Sequence, residues 1–301
     1  MRKSHSEPIR KSRGFKVSIK NLFAAVLLSL AVAPAACLAK ASPCPESIIS
    51  LTLASDEILV DIVSDRKKIA ALTYFSTDPL ISNVVGKAQG IPQVRANLEQ
   101  VIAKSPDLVI VAGHTNPNIR SHLQTAGINV LVLNEIISLG TIKKKIKMVG
   151  EAVCEESAAK SLVENMERQI AEAKAKIPPQ AKAPTVLFYG APGFTVGKRT
   201  TINDIIESSG AINLPARLGL SGYSNISTEY VIQNNPDLVL TSSYNPSHPD
   251  FVGQMFQNSA FRDKKIIVLE GKHLDAASHY AALGVSKLVT LIFKAENNAD
   301  R

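Results

Sequence analysis

Apolar residues along this chain gather in short aliphatic, β-branched runs, and between them lie stretches whose apolar positions recur every three to four residues. The runs at 48–53, 69–74, 107–113 and 129–133 predict strands, and DLVIV at 107–111 carries no polar alternation, as a parallel strand covered on both faces requires. Periodic stretches near 56–63, 98–104, 118–125 and 141–153 fall between or after them and predict helices. The order then repeats, with strands predicted at 186–189, 237–241 and 266–269 and helices near 202–208, 251–257 and 276–293. Alternation of this kind implies right-handed crossovers and mainly parallel sheets flanked by helices.

Two passages share one plan. Residues 97–111 read NLEQVIAKSPDLVIV, and residues 227–241 read STEYVIQNNPDLVLT. Both contain Glu-x-Val-Ile-x-x-x-Pro-Asp-Leu-Val. In each, a polar capping residue, Asn97 or Ser227, precedes a short apolar-periodic turn. A proline then stops the turn, and the residue before it is expected to be extended. A buried strand follows at once. A reused helix-to-strand transition explains the Pro-Asp-Leu-Val part, but not the matched glutamates Glu99 and Glu229, so the chain reads as two α/β halves of similar design.

Between the halves, Ala159, Leu162, Val163, Met166, Ile170, Ala173 and Ile177 trace one face of a helix over residues 157–177, closed by Pro178 and Pro179. A helix of that length reaches roughly 30 Å, about the width of a small domain. The expected fold is therefore α/β: two lobes, each with a mainly parallel sheet flanked by helices, joined by one long helix. The N-terminal lobe would cover 42–156, the connecting helix 157–177 and the C-terminal lobe 178–301.

Residues 1–41 stand apart. Seven basic residues and one acid precede an apolar run at 22–33, followed by small residues through Ala39 and Ala41, the make-up of a secretory signal peptide. Cys37 offers an alternative in which a lipidated cysteine becomes the new terminus, although Pro34 stands where such sites favour a leucine-like residue. Cleavage after Ala39, which keeps Lys40, removes those seven bases and one acid and takes the formal charge from +8 to about +2, which leaves no nucleic-acid footprint. Cys44 and Cys154 remain beyond the leader. In an oxidising compartment they either pair or stand as separate thiols, since pairing needs a proximity that sequence does not supply.

In parallel sheets ligands sit outside the carboxyl ends of the strands. Residues 52–56, then Tyr74 and Phe75, then Gly113 and His114 occupy such positions in the first half. In the second half Tyr189, Phe194, Tyr244 and the stretch from His273 through His279 to Tyr280 do so. Five of the six tyrosines, Tyr223 among them, fall at strand ends or in adjoining loops, which favours a large, partly planar or apolar ligand between aromatic walls. No catalytic constellation accompanies them. The segment GAPGFTVG at 190–197 lacks the ending of a phosphate loop, and no Gly-x-Ser-x-Gly elbow exists. His114, His273, His279 and Asp275 are metal-ligand types, yet no ligand spacing or His-rich loop joins them, and no metal or cofactor is expected. The contrasting expectation is an α/β enzyme using His114 or His279 as acid or base.

The leader, the doubled Glu-x-Val-Ile-x-x-x-Pro-Asp-Leu-Val, the joining helix and the opening IISLTLASDEIL at 48–59 together resemble the helical-backbone periplasmic substrate-binding proteins of ABC importers, the group that binds vitamin B12, haem and ferric siderophores. The resemblance implies a metal-chelate ligand, an inner-membrane permease and ATPase as partners, a periplasmic location and no catalysis. It does not fix the ligand; the leader, the twin lobes and the aromatic strand ends make an iron complex, most simply a ferric siderophore, the first expectation, with cobalamin or haem as the alternative. By motif position it assigns Glu99 and Glu229 to docking on the permease. The absence of tryptophan departs from the tryptophans that often line B12 and siderophore sites in that family.

Overall fold

In the computed structural model, residues 44–190, 192–244, 253 and 257–293 are described. The leader, Cys37 and most of the helix expected at 251–257 lie outside the described residues.

The first half builds one sheet of five parallel strands in the order β3-β2-β1-β4-β5. These are β1 (Ile48–Ser50), β2 (Ile69–Thr73), β3 (Gln93–Val94), β4 (Leu108–Ala112) and β5 (Asn129–Leu133). The chain turns from one side of β1 to the other between β2 and β4, so the strand order reverses at the β1–β4 pair, which is in register from Ile48↔Leu108 to Ser50↔Ile110. Helices α1 (Leu53–Ile62), α2 (Leu98–Ile102), α3 (Pro117–Thr125) and α4 (Leu139–Ala152) connect these strands or follow the last.

The second half builds a separate four-stranded parallel sheet in the order β11-β10-β6-β8. It comprises β6 (Thr185–Phe188), β8 (Ile212–Asn213), β10 (Leu238–Ser243) and β11 (Lys265–Glu270). An antiparallel ribbon, β7 (Phe194–Val196) with β9 (Tyr223–Asn225), stands beside it, and no alternation in the sequence foretold that ribbon. Helices α6 (Thr201–Ser208), α7 (Leu214–Arg217) and α8 (Thr228–Asn234) complete this part. Sheet interior positions such as Ile49, Val109, Leu187 and Val239 are fully buried, which explains the lack of alternation in the sequence.

The two copies of the repeat adopt one geometry. Asn97 Oδ1 accepts the Gln100 N–H at 3.0 Å, and Ser227 Oγ accepts the Tyr230 N–H at 3.3 Å, so both helices are capped as expected. Val101 and Val231 are buried anchors in each copy. The residue before proline departs from expectation: Ser105 and Asn235 are left-handed, at φ 45° and 43°, a conformation that ends a helix and redirects the chain toward the strand within a few residues. The aspartates share a role too. Asp107 Oδ2 accepts the N–H groups of Glu46 and Ser47 at 2.8 and 2.9 Å, clamping the entry to β1. Asp237 Oδ2 accepts the N–H and hydroxyl of Thr185 at 2.7 and 2.6 Å, clamping the entry to β6.

The long helix α5 is Glu156–Lys174, ending three residues before the predicted limit. It buries Ala159, Val163, Met166 and Ala173, members of the predicted apolar face. It packs against α1 and α4 of the first half and against α10 (Ala281–Phe293) of the second. A Cβ at Gly150 of α4 would overlap the Cβ of Ala159, so glycine there lets α4 and α5 approach. The sequence suggests two separately cored lobes tethered by one rod. Instead, one cluster of buried apolar side chains runs from Ile48 and Ile110 through Ile146 and Met166 to Val186, Leu240 and Leu288. Smaller clusters cover the outer face of each sheet.

Two further features were open or different in the sequence. Cys44 and Cys154 are joined in a disulfide, with Cα atoms 5.7 Å apart, linking the start of β1 to the end of α4. The helix expected over 276–293 starts late: it runs only over α10, and an irregular segment at 275–280 separates it from the short α9 (Gly271–Leu274). That segment is held by α1. Glu57 accepts the Ser278 hydroxyl, and Asp61 Oδ2 lies 3.0 Å from both His279 Nε2 and Tyr280 Oη.

Candidate functional site

A cavity of about 850 Å³ opens where the first sheet reverses its order. Its walls from the first half are Thr52 and Ala54 after β1, Gly113 and His114 after β4, and Asn134, Glu135 and Ile136 after β5. Tyr223 of the ribbon and Ala277 of the 275–280 segment close it from the second half. A cavity of about 260 Å³ adjoins it, sharing Thr52, Ala54 and Ala277 and adding Glu57, Tyr244, Lys272 and Asp275. This is the location that strand-order reversal predicts for a ligand in a parallel sheet.

The ribbon explains Tyr223. Its ring is 64 % exposed and stacks on Phe194 at 5.6 Å with planes 17° apart, while Phe194 meets Phe188 edge-on at 6.1 Å. The antiparallel pairing Phe194↔Asn225 and Val196↔Tyr223 sets the two rings side by side. Tyr244 is fixed differently. A Cβ on Gly271 would overlap its ring, and its hydroxyl donates to Asp275 Oδ2 at 2.5 Å. Burial, then the Asp275 charge, holds the Tyr244 phenol protonated well above its usual range. Burial also raises Asp275, against the hydrogen bonds from Tyr244 and Ser242.

Of the residues singled out in the sequence, Thr52, Ala54, Gly113, His114, Tyr223, Tyr244 and Asp275 line these two cavities, and Phe194 backs Tyr223. The rest sit elsewhere. Tyr74 and Phe75 contact each other at 4.0 Å, with the Arg95 guanidinium 4.1 Å above the Tyr74 ring. Tyr189 packs on Phe261 at 4.7 Å in the outer core of the second sheet. His273 is 6 % exposed, with Nδ1 3.3 Å from Glu270 Oε2. Burial, then the Lys287 charge, pushes it down to about 4, so the ring is neutral near pH 7.

His279 and Tyr280 belong to the contact with α1. Their polar atoms meet Asp61, and Lys87 Nζ bonds both Asp61 and, at 3.2 Å, the Tyr280 hydroxyl. Burial alone would raise Asp61, but the hydrogen bonds and charges of His279 and Lys87 outweigh it and bring the carboxyl down to about 2. One turn earlier, burial pushes Asp56 up to about 7 even though Thr73 donates to it through N–H and hydroxyl. These carboxylates hold α1 to β2 and to the 275–280 segment.

Sequence reasoning missed Asn134, Glu135 and Ile136, although the strand-end rule applied to β5 would have reached them. Asp275 and Ala277 lie in the stretch after β11 that the strand-end rule already reached; what the sequence did not show is that this stretch stays irregular up to Ala281 and bonds to α1. Among the described residues, no three His, Cys, Asp or Glu side chains converge as a metal-ion site.

The chain matches the family described as Periplasmic binding protein across residues 48–269, a span that contains both sheets and most of the cleft. The chain belongs to the periplasmic binding protein family. A cobalamin-binding protein of Halobacterium salinarum is 26% identical over 200 residues, 65% of this chain and 54% of the relative. An uncharacterised ABC transporter substrate-binding lipoprotein of Bacillus subtilis is 28% identical over 207 residues, 66% of this chain and 64% of the relative. The chain thus spans between about half and just under two thirds of these curated relatives. The periplasmic haem-binding protein RhuT from Roseiflexus sp. RS-1, in apo form, superposes with a TM-score of 0.70 at 21% identity, over 83% of this chain and 98% of that one. At that identity the likeness concerns the fold: two parallel sheets, helix-joined, with a cleft between.

Proposed function

We propose that this periplasmic binding protein is the substrate-capturing component of an ABC importer, holding a bulky metal chelate in the cleft and passing it unaltered to a membrane permease and its ATPase. The observation that carries this reading is the cavity of about 850 Å³ at the strand-order reversal, bounded on one side by His114 and on the other by the protruding ring of Tyr223. Its size suits a macrocycle or a wrapped iron chelate rather than a bare ion. A cobalamin or haem-type macrocycle has the support of the relatives; a ferric siderophore, the first expectation from sequence, falls in the same size class. An exported, periplasmic location agrees with the leader and with the Cys44–Cys154 disulfide, which needs an oxidising compartment.

Thermal-shift titration of the leader-free protein with cyanocobalamin, haemin and ferric siderophores tests the reading. A true ligand at one hundred times its Kd stabilises the fold by about 2.7 kcal/mol. No stabilisation by any chelate rejects it. A chelate recovered chemically changed, with the change lost in His114→Ala, would instead favour the enzyme reading.

For docking, Glu99 and Glu229 occupy matching positions in the first turns of α2 and α8, and both are exposed. The Ser227 hydroxyl lowers the Glu229 carboxyl below its usual value, which keeps the charge in place. Carboxylates so placed suit a basic partner surface. Reversing both charges, Glu99→Arg with Glu229→Arg, is expected to abolish import while chelate affinity stays unchanged; equal loss of both would assign these residues to the cleft instead.

A further inference from the structure

We infer, on the reading that the cleft holds a metal chelate, that its inner end selects neutral or cationic chelates bearing hydrogen-bond donors over anionic ones, with Asp275 the residue that sets the preference. The two adjoining cavities carry three carboxylates in their walls: Glu135 in the larger, Glu57 and Asp275 in the smaller. The basic group among these walls, Lys272, is already engaged, with Nζ 3.3 Å from Glu270 Oε2 and 3.4 Å from the Pro79 carbonyl. His114 and the phenols of Tyr223 and Tyr244 are the other titratable groups in these walls. At the outer rim Arg199 sits 3.7 Å from Glu135, but both are well exposed, so that pair contributes little either way.

The two inner carboxylates differ in what they have left to give. Glu57 is closed off: Oε1 accepts two donors from Asn83 at 2.9 Å, and Oε2 takes the Ser278 hydroxyl. Asp275 is partly exposed; its Oδ2 accepts the Tyr244 hydroxyl, and Ser242 also hydrogen-bonds the carboxyl. A carboxylate offers about four acceptor sites, so Asp275 keeps capacity facing the cavity. A ligand filling the inner end strips the remaining water from it. A ligand carboxylate there adds like charge to a desolvated anion, which is unfavourable. An amide N–H or an ammonium replaces the lost water with a charge-assisted hydrogen bond. Tyr244, locked over Gly271, aims its own donor at the same oxygen and moderates the charge without removing it.

The test compares four probes by calorimetry with the leader-free protein: cyanocobalamin, a ferric trihydroxamate with an ammonium arm, haemin, and a ferric tricatecholate. The two donor-bearing probes are expected to bind at least tenfold more tightly than the two anionic ones. Asp275→Asn, with its fold checked by thermal melting, should shrink that ratio about tenfold, the scale of one hydrogen bond to a charged group. Tyr244→Phe keeps the ring and removes the donor, so it should widen the ratio. Anionic probes binding as tightly as the others, or a ratio unmoved in both variants, overturns charge selection while leaving chelate binding intact. Failure of all four probes overturns the chelate reading and this inference with it.

Discussion

The carboxylates of Asp107 and Asp237 show how one residue of a repeated motif can serve the fold rather than the ligand. Each stands at the start of a central strand and ties down the entry of its neighbour through two short hydrogen bonds. These bonds are exposed and the freed donors can turn to water, so Asp237→Ala is expected to cost about 0.5–1.5 kcal/mol in chemical denaturation. Ser105 and Asn235 hold left-handed backbone that L-residues adopt at a cost. Ser105→Gly should therefore raise stability by a few tenths to about 1 kcal/mol, whereas Ser105→Val should lower it. Asp56 gives a signed pH prediction. Its folded value near 7 lies above the unfolded value, so the folded state binds the extra proton between about pH 4 and pH 7. Stability measured against Asp56→Asn should fall as pH rises through that window. Asp61, lowered to about 2, acts in the opposite sense: its contribution is present above the ordinary carboxylate range and is lost as pH falls toward 2.

At the scale of elements, α1 is the joint of the molecule. It is buried along nearly its whole length, including Asp56 and Glu57, and its carboxylates reach β2 on one side and the 275–280 segment on the other. Because Asp275 and Ala277 of that segment also line the cavities, the α1 contact fixes part of the ligand wall. Asp61→Ala leaves Lys87, His279 and Tyr280 without their shared acceptor and is expected to destabilise the fold by about 1–3 kcal/mol, and to weaken chelate binding as well. The disulfide ties β1 to α4 across a separation of 110 residues. Its reduction should cost about 2–4 kcal/mol, read as a lower unfolding midpoint in reductant that Cys44→Ser reproduces without it. The tight α4–α5 crossing makes Gly150→Val a further test: overpacking there should cost about 1–3 kcal/mol.

At the scale of the whole molecule, the shared core decides how the halves behave. Buried side chains form one cluster from the first sheet through α5 to the second, so the halves are expected to melt in one calorimetric transition despite having two sheets. Two resolved transitions would show that the joining helix is a tether and not part of a common core. The same continuity, together with the α1 contacts, is expected to limit motion between the sheets. Small-angle scattering should therefore register only a small change in radius of gyration when a chelate binds.

The sequence by itself determined the class of fold, the doubled motif, the capped helices before each proline, the apolar face of α5 and the cleft at the strand ends. Each of these is written in local signals: burial period, capping side chains, proline. It also pointed to His114, Tyr223 and Tyr244, since strand-end position follows from strand location. Only the tertiary structure decided that Cys44 meets Cys154, that β7 and β9 pair to present Tyr223, and that within the 275–280 segment before the last helix Asp275 and Ala277 line the cleft while His279 and Tyr280 turn to Asp61. Those outcomes rest on partners up to about 220 residues away, and no local pattern encodes which buried carboxylate a distant histidine will find.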